Sequence, residues 1–264
     1  MELTNSYKTL YVKTEGKTAW VSLNRPESLN ALNMELMSEL LDVLKEISRN
    51  ADLQIVVLKG EGKGFCSGGD IKGMLTMSGE EEFKTFMKVI KELSTTLYAM
   101  PKITISAIHG AAAGLGLSLA LACDVLIAEE QSKLAMNFIG IGLVPDGGGH
   151  FLMQERVGSH KAMHAIWRGD VMNAHEAHSF GLIDRVTAEG RAVTEAEAYV
   201  SRFSSSPLKA MLETKAILRA SRLKELESTL EMEEEAQWRM RQTEDHLEGI
   251  NAFVHKRKPA FKGQ

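Results

Sequence analysis

The apolar positions along the chain follow two periods, one typical of buried strands and one typical of amphipathic helices. Two strand-like segments near the N-terminus are joined at Glu15-Gly16, which predicts a hairpin. Other short, continuous apolar runs have the length of strands that are buried on both faces. Strands are therefore predicted at 9–14, 18–24, 54–60, 102–110, 124–129 and 182–187.

Between these strands, apolar side chains recur every three or four residues, as on one face of a helix. From about residue 33 the recurring positions are Leu36, Leu40, Leu44 and Ile47. Further helices are predicted at 80–98, 114–123, 147–156, 159–168, 173–180 and through most of the chain after 190. Strands that alternate with helices predict an α/β fold with a mixed or parallel sheet.

Composition narrows the classes of function. The 264 residues are 44% hydrophobic and 25% charged, as in a globular protein of one large domain or one domain with an appendage. A net charge of −4 argues against nucleic acid or an anionic membrane as the main partner. Two cysteines and no visible signal peptide favour a cytoplasmic protein without disulfides. The histidines show no metal-site spacing, so no metal is predicted.

Two glycine-rich loops are the first candidates for chemistry. One spans 60–74, and the other precedes the predicted helix at 114–123; each follows a buried strand. Backbone N–H groups at such loops could together stabilise negative charge on a substrate oxygen, as an oxyanion hole does. Glycines also serve tight turns alone, but two such loops in this context favour a site. A dinucleotide site is disfavoured because the third glycine of its motif would fall at Leu119.

Asp146 is the second candidate. It stands in IGIGLVPDGGGH (139–150), between a proline and three glycines. Pro-Asp-Gly is a turn signature, so the aspartate could form the turn or be an acid that the turn displays.

Several motifs in order resemble the crotonase (enoyl-CoA hydratase/isomerase) superfamily, and the resemblance runs nearly end to end. They are VSLNRPESLNALN (21–33), GKGFCSGGDIKGM (62–74), AIHGAAAGLGLSLALACDVLIA (107–128), IGLVPDGGG (141–149), HEAHSFGLIDRV (175–186) and AFVHKRKPAF (252–261). The resemblance implies a spiral of ββα units over 1–200 and a helical trimerisation region over 201–264. It also implies acyl-CoA thioester substrates, with CoA as part of the substrate and no separate cofactor, and homotrimers or hexamers.

The resemblance also assigns site residues. It implies that the amides of Gly69 and Leu115 hold the thioester oxygen, and that Arg25 lies near the CoA phosphates. The CoA channel would be lined by Gly68, Gly69, Asp70, Ile71 and Lys72. Phe253 and Lys256 match positions that reach the CoA of an adjacent subunit.

The sequence departs from the family at the two glutamates with which a hydratase activates water. Ser118 and Phe138 stand at their positions, and Phe138 is placed in the substrate site. Some isomerases of the family carry a lone acid where Asp146 stands, including those of the phenylacetate-pathway type. The sequence therefore favours a double-bond isomerase that uses Asp146 as a base, whose pKa the nearby Phe138 and Leu143 should raise. A hydratase, an enzyme with Asp146 as nucleophile and a CoA-binding protein without activity remain alternatives.

Overall fold

The computed structural model describes residues 7–71, 73 and 79–264. Within them, the strands form one large sheet and one small sheet. The strands are β1 (Leu10–Glu15), β2 (Thr18–Leu23), β3 (Ile55–Gly60), β4 (Ile103–Ile108), β5 (Ala111–Ala113), β6 (Val125–Glu129), β7 (Lys133–Ala135), β8 (Met172–Asn173) and β9 (Arg185–Thr187).

The large sheet has the order β1-β2-β3-β4-β6-β9. β1 and β2 pair antiparallel as a hairpin, and all later neighbours pair parallel. Alternate residues of β3 belong to two different apolar clusters. Val56 and Leu58 pack on one face of the sheet, and Ile55 and Val57 pack on the other. The predicted mixed sheet with strands buried on both faces is thus confirmed.

The small sheet, in the order β5-β7-β8, was not predicted. Its strands have two or three residues each, which is too short for a period to be visible in the sequence. β5 pairs parallel with β7, and β7 pairs antiparallel with β8. This sheet matters for the site because β5 leads directly into the second glycine-rich loop.

Helices cover both faces of the large sheet. They are α1 (Met34–Arg49), α2 (Glu80–Tyr98), α3 (Leu115–Leu121), α4 (Gly149–Val157), α5 (Ser159–Arg168), α6 (Ala174–Phe180), α7 (Ala192–Ser204), α8 (Leu208–Met240) and α9 (Glu244–Val254). Two short 3-10 helices span Pro26–Ser28 and Phe138–Ile141. The α1 stripe predicted from the sequence is fully buried, and the Asn33 side chain caps the helix by accepting from the Leu36 N–H at 2.9 Å.

The C-terminal helices pack on the body of the chain. Leu226 and Leu230 of α8 belong to the same apolar cluster as α1 and α2. The division at residue 200 and the role of 201–264 in oligomerisation remain predictions. None of the helices in the described part of the chain combines the length and apolar character that spanning a bilayer requires.

Helix α9 folds back onto the 3-10 turn Phe138–Ile141 of its own chain. The His246 ring nitrogen Nδ1 lies 2.8 Å from the Ile141 carbonyl oxygen. The approach is close enough that a Cβ on Gly249 would lie 2.6 Å from the Ile141 Cα. Glycine is therefore needed at this contact, which fixes the end of α9 against the loop.

Substituting Gly249 by alanine should loosen α9. Alanine favours a helix over glycine by about 1 kcal/mol. The clash with backbone at Ile141 is expected to outweigh this gain, with a net destabilisation of about 1–3 kcal/mol. Hydrogen exchange of the α9 amides should therefore accelerate in Gly249→Ala. Asn251→Ala, at an exposed position of the same helix, is the control and should not accelerate it; equal exchange in both variants would contradict the packing argument.

Candidate active site

The two glycine-rich loops predicted from the sequence are joined edge to edge. The Cys66 N–H donates to the Ala111 carbonyl at 2.8 Å, and the Ala113 N–H donates to the Cys66 carbonyl at 3.0 Å. Gly68 has a φ of +105°, and a Cβ there would lie 2.9 Å from the Ala113 carbonyl oxygen and 3.7 Å from the Leu115 nitrogen. Only glycine allows this backbone approach, which brings the two loops to one point.

A cavity of about 170 Å³ lies at this point. Its lining is mostly apolar and includes backbone from both loops. It is lined by Ser67, Gly68, Gly69, Ile71, Phe86, Gly114, Leu115, Asn137, Phe138, Gly140, Ile141, Leu143, Asp146 and Phe253. An apolar cavity with few polar groups is typical of a small-molecule site.

The backbone N–H groups of Gly69 and Leu115 donate to no acceptor within residues 7–71, 73 and 79–264. Gly69 lies between two anchored peptides, because the Leu32 N–H donates to the Gly68 carbonyl at 2.8 Å and the Asp70 N–H donates to the Leu32 carbonyl at 3.0 Å. Leu115 is the first residue of α3, where an amide has no intrahelical acceptor. Both residues border the cavity, as the oxyanion-hole prediction requires.

Asp146 is the one titratable side chain among the described residues that line the cavity. It is 7% exposed, and its Oδ1 has no hydrogen-bond partner in the described chain. The backbone around it is fixed from outside, because Ser118 Oγ donates to the Asp146 carbonyl at 2.8 Å and Ser94 Oγ to the Gly147 carbonyl at 3.0 Å. Gly147 and Gly148 both have positive φ, so the Pro-Asp-Gly sequence does form a turn. The same turn carries the Asp146 side chain at the cavity.

Burial raises the pKa of the Asp146 carboxyl well above its usual value, and the charge of Glu233 raises it further. Desolvation disfavours the charged form of a carboxyl group, and a second negative charge nearby does the same. Asp146 therefore holds a proton more strongly than an exposed aspartate and is a stronger base when ionised.

Two functional candidates on α8 were missed by the sequence analysis. Glu233 and Gln237 are each 2% exposed and reach the segment around Asp146. They continue the buried stripe that begins with Leu226 and Leu230, at intervals of three and four residues. A glutamate and a glutamine in an otherwise apolar stripe were the available signal.

The family model described as Enoyl-CoA hydratase/isomerase matches residues 13–264. The chain belongs to this family. It is thus an acyl-CoA enzyme of the crotonase superfamily, and the predicted crotonase fold is confirmed by solved structures.

The proteins similar to this chain include one named as an isomerase and one named as a hydratase. YhaR of Bacillus subtilis (strain 168), named provisionally as an enoyl-CoA hydratase/isomerase, is 48% identical over 94% of this chain and 96% of its own. The 1,2-epoxyphenylacetyl-CoA isomerase of Escherichia coli (strain K12) is 31% identical over 92% of this chain and 94% of its own. A crystal structure of an enoyl-CoA hydratase from Mycobacterium avium subsp. paratuberculosis K-10 has a TM-score of 0.88 at 30% identity, covering 97% of this chain and 100% of that one.

Neither position at which the family's hydratases were expected to carry a glutamate bears an acid. Ser118 is fully buried, and its hydroxyl is used to hold the Asp146 loop. Phe138 borders the cavity, with its ring against Gly114, where a Cβ would lie 3.6 Å from Cζ. Among the described residues that line the cavity, Asp146 is thus the one acid, and the apolar Phe138 stands where a glutamate was expected in a hydratase.

The residues predicted to bind CoA are only partly gathered at the cavity. Gly68 and Ile71 line it, whereas Arg25 and Asp70 form an ion pair with each other at 3.1 Å and are not in its lining. Lys72 lies outside the described residues.

No group of three or more potential metal ligands occurs within the described residues.

The two C-terminal CoA candidates differ in position. Phe253 lines the cavity of its own chain, while Lys256 is exposed and does not border it. Their contact with the CoA of an adjacent subunit remains a prediction.

The raised pKa of Asp146 predicts that Asp146→Asn stabilises the fold. When folding raises the pKa of an aspartate, the free energy of unfolding decreases as pH rises from the pKa in the unfolded chain, 3.8, through the pKa in the folded protein. Asparagine carries no such penalty, so the gain should grow as pH rises above 3.8 and vanish as pH falls to that value. Each kcal/mol gained corresponds to about 2–4 °C in melting temperature.

Thermal unfolding at several pH values measures this gain. The control is Asp170→Asn, which removes an exposed aspartate that pairs with Arg168 and should give no pH-dependent gain. A lower melting temperature for Asp146→Asn at alkaline pH would contradict the assigned burial of the charge.

Proposed function

We propose that the protein is an enoyl-CoA double-bond isomerase in which Asp146 moves a proton from C2 to C4 of a 3-enoyl-CoA. One observation carries the proposal. A single buried carboxyl group, with one oxygen free of hydrogen bonds, shares a cavity with the unsatisfied amides of Gly69 and Leu115.

In the first step, Asp146 in its ionised form takes the proton from C2, next to the thioester carbonyl. The electron pair of the C–H bond moves into the C1–C2 bond, and the carbonyl oxygen becomes negative. The Gly69 and Leu115 amides can donate to that oxygen and stabilise the enolate. A preorganised donor of this kind lowers the barrier by about 3–4 kcal/mol.

In the second step, the protonated carboxyl returns its proton at C4. The C3–C4 double bond is replaced by one between C2 and C3, the carbonyl re-forms, and Asp146 is ionised again. No atom is gained or lost, so one acid suffices. A raised pKa suits this exchange because the group must both accept and release a proton near neutral pH.

Hydration is the competing reaction, and several similar proteins are named as hydratases. It requires a water molecule held and activated next to C3 of the substrate. In this chain, Ser118 stands at one of the two glutamate positions, and its hydroxyl donates to the Asp146 carbonyl. Phe138 stands at the other. We therefore favour proton transfer within the substrate over addition of water.

Removal of the base should abolish isomerisation. Asp146→Asn is expected to lower kcat for a 3-enoyl-CoA by about 10²–10⁴-fold, because a positioned base contributes roughly that factor. Turnover is followed by formation of the conjugated 2-enoyl-CoA, with Asp170→Asn as the matched control. Hydration of crotonyl-CoA at rates above isomerisation, unchanged in Asp146→Asn, would refute the proposal.

The pH dependence tests the same group. Since Asp146 must be ionised to accept the C2 proton, kcat/KM should fall as pH decreases through its pKa. The raised pKa places this decline well above pH 3.8, the ordinary value for aspartate. A flat profile down to the ordinary range of aspartate would show that Asp146 is not the base.

A further inference from the structure

Helix α8 contacts the segment 144–150 on both sides of Asp146. On the N-terminal side, Gln237 Nε2 donates to the Val144 carbonyl at 2.5 Å and lies 3.5 Å from Asp146 Oδ2, the outer limit of a hydrogen bond. On the C-terminal side, Glu233 accepts from the Gly148 N–H at 2.7 Å and the His150 N–H at 3.1 Å. The two α8 side chains are one helical turn apart and hold the loop on either side of Asp146.

The contact of Glu233 with α4 explains how its charge can be buried. Gly148 is the N-cap residue of α4, and the helix has no side-chain cap of its own. Glu233 supplies that cap from another helix, and His150 Nδ1 lies 2.7 Å from its Oε1. Backbone amides at a helix N-terminus and a histidine are strong partners for a carboxylate.

On the other side, Gln237 makes the two carboxyl oxygens of Asp146 unequal. Its amide faces Oδ2, while Oδ1 has no partner within the described chain. The same amide nitrogen holds the Val144 carbonyl, so the loop cannot move away from the helix without losing both contacts.

We propose that Glu233 and Gln237 are positioning residues for the reaction of Asp146, holding the 144–150 loop so that Oδ1 stays free for proton transfer. This inference rests on the proposed function. It adds that the base is aligned by a helix about 90 residues further along the chain.

The charge of Glu233 has a second effect on Asp146. A negative charge in the same desolvated region disfavours ionisation of Asp146, so Glu233 raises the pKa of Asp146. The titratable group facing Glu233 from α4 is His150, which is 40% exposed, and Lys91 of α2 pairs with the adjacent Glu234. A purely structural glutamate would stabilise the loop without affecting the proton affinity of Asp146.

Three variants on α8 test this. Glu233→Gln removes the charge at nearly constant size, Gln237→Met removes the donor, and the control Glu235→Gln removes a charge from the exposed face of the same helix. We expect kcat to fall by about 10–100-fold in the first two, since small misplacement of a base has effects of this size. KM should change less than kcat, and the control should match the wild type.

The pH profile separates positioning from a structural role. Glu233→Gln should move the acid limb of kcat/KM to lower pH, because loss of a neighbouring negative charge lowers the pKa of Asp146. Glu233→Asp, which keeps the charge but shortens the side chain, should lower kcat and leave the limb in place. An unshifted limb in Glu233→Gln, an effect of equal size in Glu235→Gln, or an unchanged kcat in Gln237→Met would overturn the proposal.

A carboxyl carbon NMR titration of Asp146, assigned by comparison with Asp146→Asn, gives a readout that does not need turnover. A wild-type protein that does not isomerise 3-enoyl-CoA, but whose Asp146 pKa falls in Glu233→Gln, would refute the proposed function and support the coupling. A protein that isomerises without that fall would refute the coupling. Melting temperatures of all variants show whether the fold is retained.

Discussion

The site depends on keeping one carboxyl group out of water. An aspartate with an unpartnered buried oxygen is unfavourable by itself, and the surrounding structure compensates for it with contacts to the backbone on each side. Ser94 and Ser118 donate to carbonyl groups of the turn, and Glu233 accepts from its amides. The loop thus keeps its shape although the side chain it displays is left without a full set of partners.

Under the proposed function, the electrophilic half of the site consists of backbone alone. The amides of Gly69 and Leu115 are brought together because Gly68 permits a contact that any Cβ would prevent. Preorganised amides need no reorientation when charge develops on a substrate oxygen. In the proposed reaction the chain separates two tasks: the main chain of two loops stabilises negative charge, and a side chain from a third loop transfers the proton.

Much of the fold could be predicted from local patterns. The helices from 33 and over 80–98, and the strands of the large sheet, have clear periods or continuous apolar runs, and the structure confirms them. The small sheet could not be found because its strands are too short to show a period, and two of its strands consist mainly of alanine, lysine and leucine.

The site was predictable only in part. Gly69, Leu115 and Asp146 stand in motifs whose order along the chain pointed to one place, and they do border one cavity. Glu233 and Gln237 were missed because they contact residues more than 80 positions away, and two polar residues in an apolar stripe do not indicate what they will contact. Arg25 and Asp70 both stand in motifs that the sequence analysis identified, but the motifs gave no indication that the two side chains form an ion pair.

The bond from Ser118 to the Asp146 carbonyl also limits how this protein could change its chemistry. Cβ atoms placed on Gly149 and Gly147 would lie 3.0 Å from the Ser118 Oγ and 3.2 Å from its Cβ, so there is little room for a longer side chain at 118. A glutamate introduced there would have to displace the turn that carries Asp146. If Asp146 acts as the proposed base, an evolutionary route from this site to one that adds water would have to rebuild the loop first, because an intermediate with a glutamate at 118 alone would lose the position of Asp146.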